Sequence, residues 1–476
     1  MSKFTVLAFD FGASSGRGIK AEFDGETLTY KEIHRFENTP IDENGTLHWD
    51  FSSLCSEVFT GIEKAGHYDS IAFDTWGVDF GLLDENGKLL EQPVHYRDAR
   101  TQGMAELACK KLSEESLYEQ TGNQIMNINT LFQLFALKES SSPLLKKAKT
   151  LLFMPDLFAY QLTGKAFCEV SIASTSQMLN LKTKHWAKEV LQGLGLNDEI
   201  LLPVVPSGTV TGSYKGAKVI AVAGHDTQCA VAALPTKADN VAFLSCGTWS
   251  LLGTELNEPI LTSESLSLAL SNEIGANGKI NYLKNIIGLW LIQESRRQWK
   301  RQGEEYSYAQ LEEMALAAAP LKCFIDPDSP EFGVPGDIPT LVQKYCKKTG
   351  QEVPKTVGEI MRCIYESLAL KYRFALEQIE KASGKSFAVL HVLGGGTKDK
   401  LLCQMTANSC NLPVTAGPIE ATALGNIIIQ LVALGALKSI DDGRELIAKT
   451  EKLLYYSPVE TSEWNEAFIK YKKILN

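Results

Sequence analysis

An apolar run from Phe4 to Phe9 is broken by the segment Asp10 to Arg17 (DFGASSGR) and followed by an alternating stretch from Gly18 to Phe23. That pattern predicts strand, tight turn, strand. Two alternating stretches between Gly18 and Phe36 flank Asp24-Gly25, a dipeptide suited to a two-residue hairpin turn, so the chain is expected to open with a three-strand meander. Leu54, Val58, Ile62 and Ala65 then share one helical face, with Asp50 or Ser52 placed to cap the helix and Gly66 to end it. A strand follows over 70–74, then a hairpin turned at Asp84 to Gly87, then a long and mostly helical insert over residues 100–200. The opening plan recurs later: apolar Val241 to Leu244, a turn at Cys246-Gly247-Thr248, and a second strand from Trp249 to Leu252.

Farther on, Thr356 and Glu359 match a capping box ahead of the stripe Val357, Ile360, Ile364, Leu368, Tyr372, Ala375 and Ile379, which ends at Gly384. Val389 to Leu393 leads into Gly394-Gly395-Gly396, with Asp399 positioned to cap a following helix. A strand, glycines and a helix start make a floor for a nucleotide. Meander, helix and strand in this order form the opening of a ribonuclease-H-like unit, and the repeated plan predicts two α/β domains. The polar stretch Leu234 to Asn240 is the expected linker. It divides the chain into 1–236 and 237–476.

The loop chemistry points to phosphate. Gly12 and Gly16 let the backbone approach an anion, Ser14 and Ser15 can donate to its oxygens, and Arg17 adds positive charge. Asp10, at the strand end, suits a magnesium ion held through water. Between the two glycine loops lies Gly224-His225-Asp226-Thr227, which sets a carboxylate between two nucleotide-gripping hairpins. Length allows two substantial cores, as 476 residues are 44% hydrophobic. A formal charge of −10 argues against nucleic acid or an anionic membrane as a partner, so phosphate must be held by local geometry. Met1-Ser2-Lys3 leads directly into a strand and no stretch approaches the roughly 20 apolar residues of a membrane span, so a cytoplasmic protein is expected. Ten cysteines include no C-x-x-C pair, which removes the usual zinc reading; Cys346 and Cys363, seventeen positions apart, are expected to remain thiols in a reducing compartment.

Seven blocks together resemble the FGGY family of carbohydrate kinases, within the actin, Hsp70 and hexokinase fold group: DFGASSGR at Asp10, DTWGVDF at Asp74, HYRDAR at His95, HDT at His225, CGTWS at Cys246, KNIIGLW at Lys284 and GGGT at Gly394. Their number, order and spacing span nearly the whole chain. The resemblance implies two ribonuclease-H-like domains with an ATP cleft between them, the N-terminal one binding sugar and the C-terminal one nucleotide. It further implies that Ala13, Ser14, Ser15, Gly16, Arg17 and Thr248 meet the phosphates, and that Gln293 and Gly395 lie against the rest of ATP. Gly77, His225, Asp226, Thr227 and Asn285 would face the sugar, with Asp226 as catalytic base and Asp10 as the magnesium-linked aspartate. The implied reaction moves the γ-phosphoryl group of ATP, with Mg2+, to the C1 hydroxyl of a 6-deoxy ketohexose: L-rhamnulose, with L-fuculose as the alternative and a non-kinase ATPase of the same fold group more remote. The implied partners are sugar and ATP alone, in a monomer or weak homodimer. Phe11 stands where Leu is usual, and Thr397-Lys398-Asp399 where an amide-rich stretch is common.

Several of these residues have plainer readings. Asp226 suits a helix N-cap, since Cys229 to Leu234 looks like a helix start. Asp74 and Asp79 flank Trp76-Gly77, and paired carboxylates serve glycosidases, but the phosphate-type loops would then have no purpose. Trp76 reads equally as a wall of the sugar site or as packing, and Thr248 as a turn residue.

Overall fold

The computed structural model describes residues 3–475, which form two compact units. The first contains the chain up to Lys237 together with Glu255–Tyr282 and Ala421–Glu451; the second contains Ala238–Thr254, Leu283–Glu420 and the chain from Lys452. The crossing at Lys237 falls in the expected linker, but the units are not the continuous halves 1–236 and 237–476, because two later segments return to the first.

The first unit is built on a six-stranded sheet in the order Thr209–Tyr214, Ala217–Ala221, Ser70–Asp74, Phe4–Phe11, Ser15–Phe23, Leu28–Glu37. The meander is antiparallel, whereas Phe4–Phe11 runs parallel to Ser70–Asp74, which in turn runs parallel to Ala217–Ala221. Central parallel strands are covered on both faces, which is why Phe4–Phe11 reads as a run and not an alternation. Phe11 stacks on Phe158 at 4.3 Å and Phe9 on Phe73 at 5.5 Å. The unusual Phe at position 11 is therefore filled into an aromatic core. Helix Phe51–Ala65 buries the predicted face; Asp50, not Ser52, caps it by accepting from Ser53 N, and Gly66 follows at φ 64°.

Helix Ala421–Ala433 is the decisive return. It is apolar on nearly every side and buried from Ala423 to Leu431, as expected of a helix with no solvent face. Its polar residues bind the central strands: Gln430 donates to Leu7 O at 3.1 Å and accepts from Ser70 Oγ at 2.7 Å. A Cβ added at Gly425 would sit 1.8 Å from Cys229 O, so close packing on helix Asp226–Ala232 requires glycine there.

The Asp84–Gly87 turn forms, with Gly87 N donating to Asp84 O at 3.0 Å. The expected hairpin forms around it, with Leu83 bridging antiparallel to Leu89 and Leu90 N donating to Leu82 O at 2.9 Å, and on its other edge Phe80–Leu83 pairs with Thr150–Phe153. Residues 100–200 are mostly helical, as expected, with their own apolar core around Leu131, Phe132, Phe135 and Ile172.

In the second unit, Val241–Cys246 forms a hairpin with the strand from Trp249 and runs parallel to Val389–Leu393, which runs parallel to Val414–Ala416; Leu454–Tyr456 adds antiparallel to the last of these. Helix Val357–Ser383 carries the predicted capping box and a left-handed Gly384 at its end. No described helix is long and apolar enough to cross a membrane.

Candidate active site

Parallel pairing of Phe4–Phe11 with Ser70–Asp74 sets Asp10 opposite Asp74, so two carboxylates emerge together at the carboxyl ends of adjacent strands. That edge is where α/β sheets bind ligands. Beyond it the backbone of Thr75 bridges to His225: Thr75 N donates to Gly224 O at 2.9 Å, and Asp226 N to Thr75 O at 2.8 Å. A third carboxylate, Asp226, is thereby tied to the same edge.

The glycine loop is a short turn, closed by Gly12 N donating to Ser15 O at 3.0 Å and braced by Asn38 Nδ2 on Gly12 O at 3.0 Å. Ser14 is exposed; Ala13, Ser15 and Arg17 are half-buried. Gly16 lies under Phe36, where a Cβ would meet the ring at 2.2 Å. Arg17 pairs with Asp10.

Asp226 opens helix Asp226–Ala232, but the N-cap is His225, which makes no side-chain cap. The plain capping reading of Asp226 therefore fails. Its Oδ1 accepts from Thr227 N at 2.6 Å and lies 3.3 Å from Thr227 Oγ1 and 3.4 Å from His225 Nε2. Burial pushes its pKa up from 3.8 to about 6, against the lowering effect of His225 and with a further raising effect of Asp10. With 31% of its side chain still exposed, it remains reachable. His225 is buried, and its Nδ1 lies 2.8 Å from Glu273 Oε2. A Cβ at Gly77 would sit 3.5 Å from His225 Nε2 and 3.3 Å from Thr175 Oγ1, so the glycine keeps that space clear.

Asp74 is fully buried; Oδ2 accepts from Asn426 Nδ2 at 2.7 Å, and Oδ1 has no hydrogen-bond partner. Burial and then the charge of Asp10 raise its pKa well above 3.8. An orphaned carboxylate oxygen beside Asp10 is a donor set suited to a hard cation such as Mg2+. Among the described residues only Cys323, Cys346 and Cys363 bring three ligand atoms within 4.8 Å of one another. The aspartates thus suit an ion held partly through water or phosphate oxygens. Those three cysteines are buried thiols, and Cys346 and Cys363 do approach each other.

Asp79 is not a free acid. It accepts from Trp49 Nε1 at 2.6 Å, Trp76 Nε1 at 3.0 Å, Gln133 Nε2 at 2.9 Å and Tyr96 N at 3.1 Å. Trp76 is buried against Trp49, with ring centroids 4.0 Å apart, so packing accounts for it.

Within the second unit, Thr248 Oγ1 lies 3.2 Å from Gln293 Oε1, so two expected ATP residues meet. Gly395 opens a 3-10 turn with nothing within 4 Å of its Cβ position. Thr397 Oγ1 is engaged by Gly394 O at 2.7 Å, and Asp399 caps helix Lys400–Cys410 by accepting from Leu402 N at 2.9 Å. Asn285 is half-buried on strand Ile280–Ile287. Sequence reasoning missed Glu273 and Asn426, which reach His225 and Asp74 from distant segments, and Gln228, which follows the HDT block on the helix of Asp226 and donates to Glu273.

Comparison with known proteins is consistent across the chain. The model of the FGGY carbohydrate kinase N-terminal domain matches residues 5–242, and that of the C-terminal domain residues 242–434. A curated rhamnulokinase from Bacteroides thetaiotaomicron is 42% identical, with 99% of both chains covered, and one from Enterococcus faecalis is 40% identical, covering 99% of this chain and 98% of the relative. Among solved structures, a gluconate kinase from Lactobacillus acidophilus superposes with a TM-score of 0.79 at 17% identity, covering 99% of this chain and 98% of that one. A glycerol kinase from Plasmodium falciparum with ADP gives 0.76 at 15%, covering 98% of each.

Proposed function

Because the chain belongs to the FGGY family of carbohydrate kinases, we propose that it transfers the γ-phosphoryl group of ATP to the C1 hydroxyl of L-rhamnulose, giving L-rhamnulose 1-phosphate and ADP. Full-length identity of about 40% to curated rhamnulokinases favours this sugar over L-fuculose. The observation that carries the chemistry is the reachable Asp226 carboxylate, tied to the strand edge that presents Asp10 and Asp74.

In this reading Asp226 accepts a hydrogen bond from the C1 hydroxyl, orients it, and takes its proton late in phosphoryl transfer. A pKa raised to about 6 by burial leaves it ionised at neutral pH, yet basic enough to accept. Gly77 leaves room for the sugar beside His225, while Thr227 holds Asp226 Oδ1. Asn285 supplies a further sugar contact. Ala13, Ser14, Ser15, Gly16 and Arg17 cradle phosphate oxygens, with Thr248 doing so from the second hairpin and Gln293 and Gly395 meeting the rest of ATP. Asp10 and Asp74 would hold Mg2+, which neutralises phosphate charge when bound.

The test is phosphorylation of L-rhamnulose, L-fuculose, L-ribulose, L-xylulose and glycerol, with ATP and magnesium, each product identified chromatographically. L-rhamnulose should give the highest kcat/KM. A higher value with L-fuculose overturns the sugar assignment, and ADP release independent of any sugar overturns the kinase reading.

A further inference from the structure

Glu273 lies on strand Ser271–Ile274, only 4% exposed, and its Oε2 sits between two donors: Gln228 Nε2 at 2.6 Å and His225 Nδ1 at 2.8 Å. Gln228 is itself oriented, because its Oε1 accepts from Asn281 Nδ2. An ionised carboxylate only accepts, so the amide of Gln228 must turn its NH2 toward Glu273, and the proton on the His225 ring must sit on Nδ1. Each link in the row from Asn281 to His225 therefore has one sense. At the other end, His225 Nε2 faces Asp226 Oδ1 at 3.4 Å.

That facing pair has a consequence for protonation. If His225 were neutral with its proton on Nδ1, Nε2 would point a lone pair at a carboxylate oxygen. If it is an imidazolium, Nε2–H donates to Asp226 and one cation lies between two carboxylates. Oδ1 of Asp226 is then held by Thr227 N and His225, and Oδ2 is left for the substrate. We infer that Glu273 is a positioning residue for phosphoryl transfer: by holding Nδ1–H of His225 it fixes the ring that clamps Asp226 Oδ1, and so aims Oδ2 at the sugar hydroxyl. The inference rests on the proposal that Asp226 is the base.

The charges around His225 agree with the imidazolium. Burial opposes its charged form, but Glu273, by charge and hydrogen bond, followed by Asp226 and Glu169, raises its pKa above 6.5 overall. Asp10 adds negative charge around Asp226, whereas Asp74, its own carboxyl raised well above the usual range by burial, takes a neutral amide from Asn426 of helix Ala421–Ala433. Glu169 is held by Ser171, Ile172 N, Gly224 N and Ser207, so it contributes charge without reaching the ring. Glu273 is the carboxylate in hydrogen-bond contact with Nδ1. Its removal should therefore act on His225 before anything else.

The experiment compares wild type with Glu273→Gln, Glu273→Asp and Asp226→Asn as full-length protein. Glu273→Gln should lower kcat by up to about 100-fold, the scale of misplacing a reacting group by about 1 Å, with the KM for ATP unchanged. Glu273→Asp should restore part of the loss. Proton NMR of the histidine rings, with His225 identified from a His225→Gln spectrum, should show its titration midpoint about one pH unit or more lower in Glu273→Gln. A kcat within two-fold of wild type, or an unmoved His225 titration, overturns the inference. If Asp226→Asn is inactive while Glu273→Gln behaves as wild type, only the positioning role fails; if Asp226→Asn stays active, the base assignment itself fails. Should Glu273→Gln not fold, Gln228→Leu probes the same link by removing the other donor to Glu273: a several-fold fall in kcat supports the inference, and an unchanged kcat overturns it.

Discussion

Replacing Asp226 by Asn keeps the shape of the side chain and removes the acceptor of the sugar proton, and two effects of opposite sign should follow. Activity should fall by about 10²-fold or more in kcat, the usual contribution of a positioned general base. Stability should rise. Burial lifts the native pKa of Asp226 from its ordinary 3.8 to about 6. The folded state therefore holds this proton more tightly than the unfolded chain, and stability declines as pH rises from about 4 to about 6, with the full cost present above that range. A rise of this size corresponds to about 3 kcal/mol at most. Because 31% of the side chain meets solvent, the expected gain on neutralisation is nearer 1–2 kcal/mol, or about 1–3 °C in Tm for a chain of this length. In wild type the base must be ionised to act, so kcat/KM for the sugar should fall as pH drops through about 6, with about one tenth left at pH 5. Sugar-dependent ADP release measured from pH 5 to 8, with calorimetry of both proteins at pH 7.5, tests all three statements. Turnover by Asp226→Asn within a few-fold of wild type would refute the assignment. Inactivity without any gain in Tm would refute the burial argument.

Asp10→Ala should weaken catalysis and raise the magnesium concentration needed for half-maximal rate; an unchanged metal titration would count against its metal role. Gly77→Ala places a methyl 3.5 Å from His225 Nε2 and 3.3 Å from Thr175 Oγ1, and should raise the KM for the sugar about tenfold, a loss of roughly 1.4 kcal/mol, with the KM for ATP unchanged. Equal effects on both substrates would argue against a sugar contact. Asp79→Ala strands the indole N–H groups of Trp49 and Trp76 and the amide of Gln133, and should destabilise the first unit by about 3 kcal/mol or more; chemical denaturation showing less than about 1 kcal/mol would refute the anchoring role.

Local signals carried a large part of this reading. The meander, the Asp50-capped helix, the capping box at Thr356 and the Asp399 cap depend on residues a few positions apart, and each formed where the pattern put it. The loop glycines and the HDT block are likewise short motifs, so Asp10, Gly77, His225 and Asp226 were legible as candidates. What could not be read was the support around them. Glu273 reaches His225 from 48 positions away and Asn426 reaches Asp74 from 352. Both lie on segments that return to the first unit after the chain has entered the second. Long-range pairing likewise added Thr150–Phe153 to the free edge of Phe80–Leu83, and turned Asp79 from a possible acid into the anchor of two tryptophans. Periodicity and capping report energies between neighbours in sequence, and those the chain alone determined. The environment of a buried carboxylate depends on which distant donors are brought to it when water is removed, and only the tertiary structure decided that.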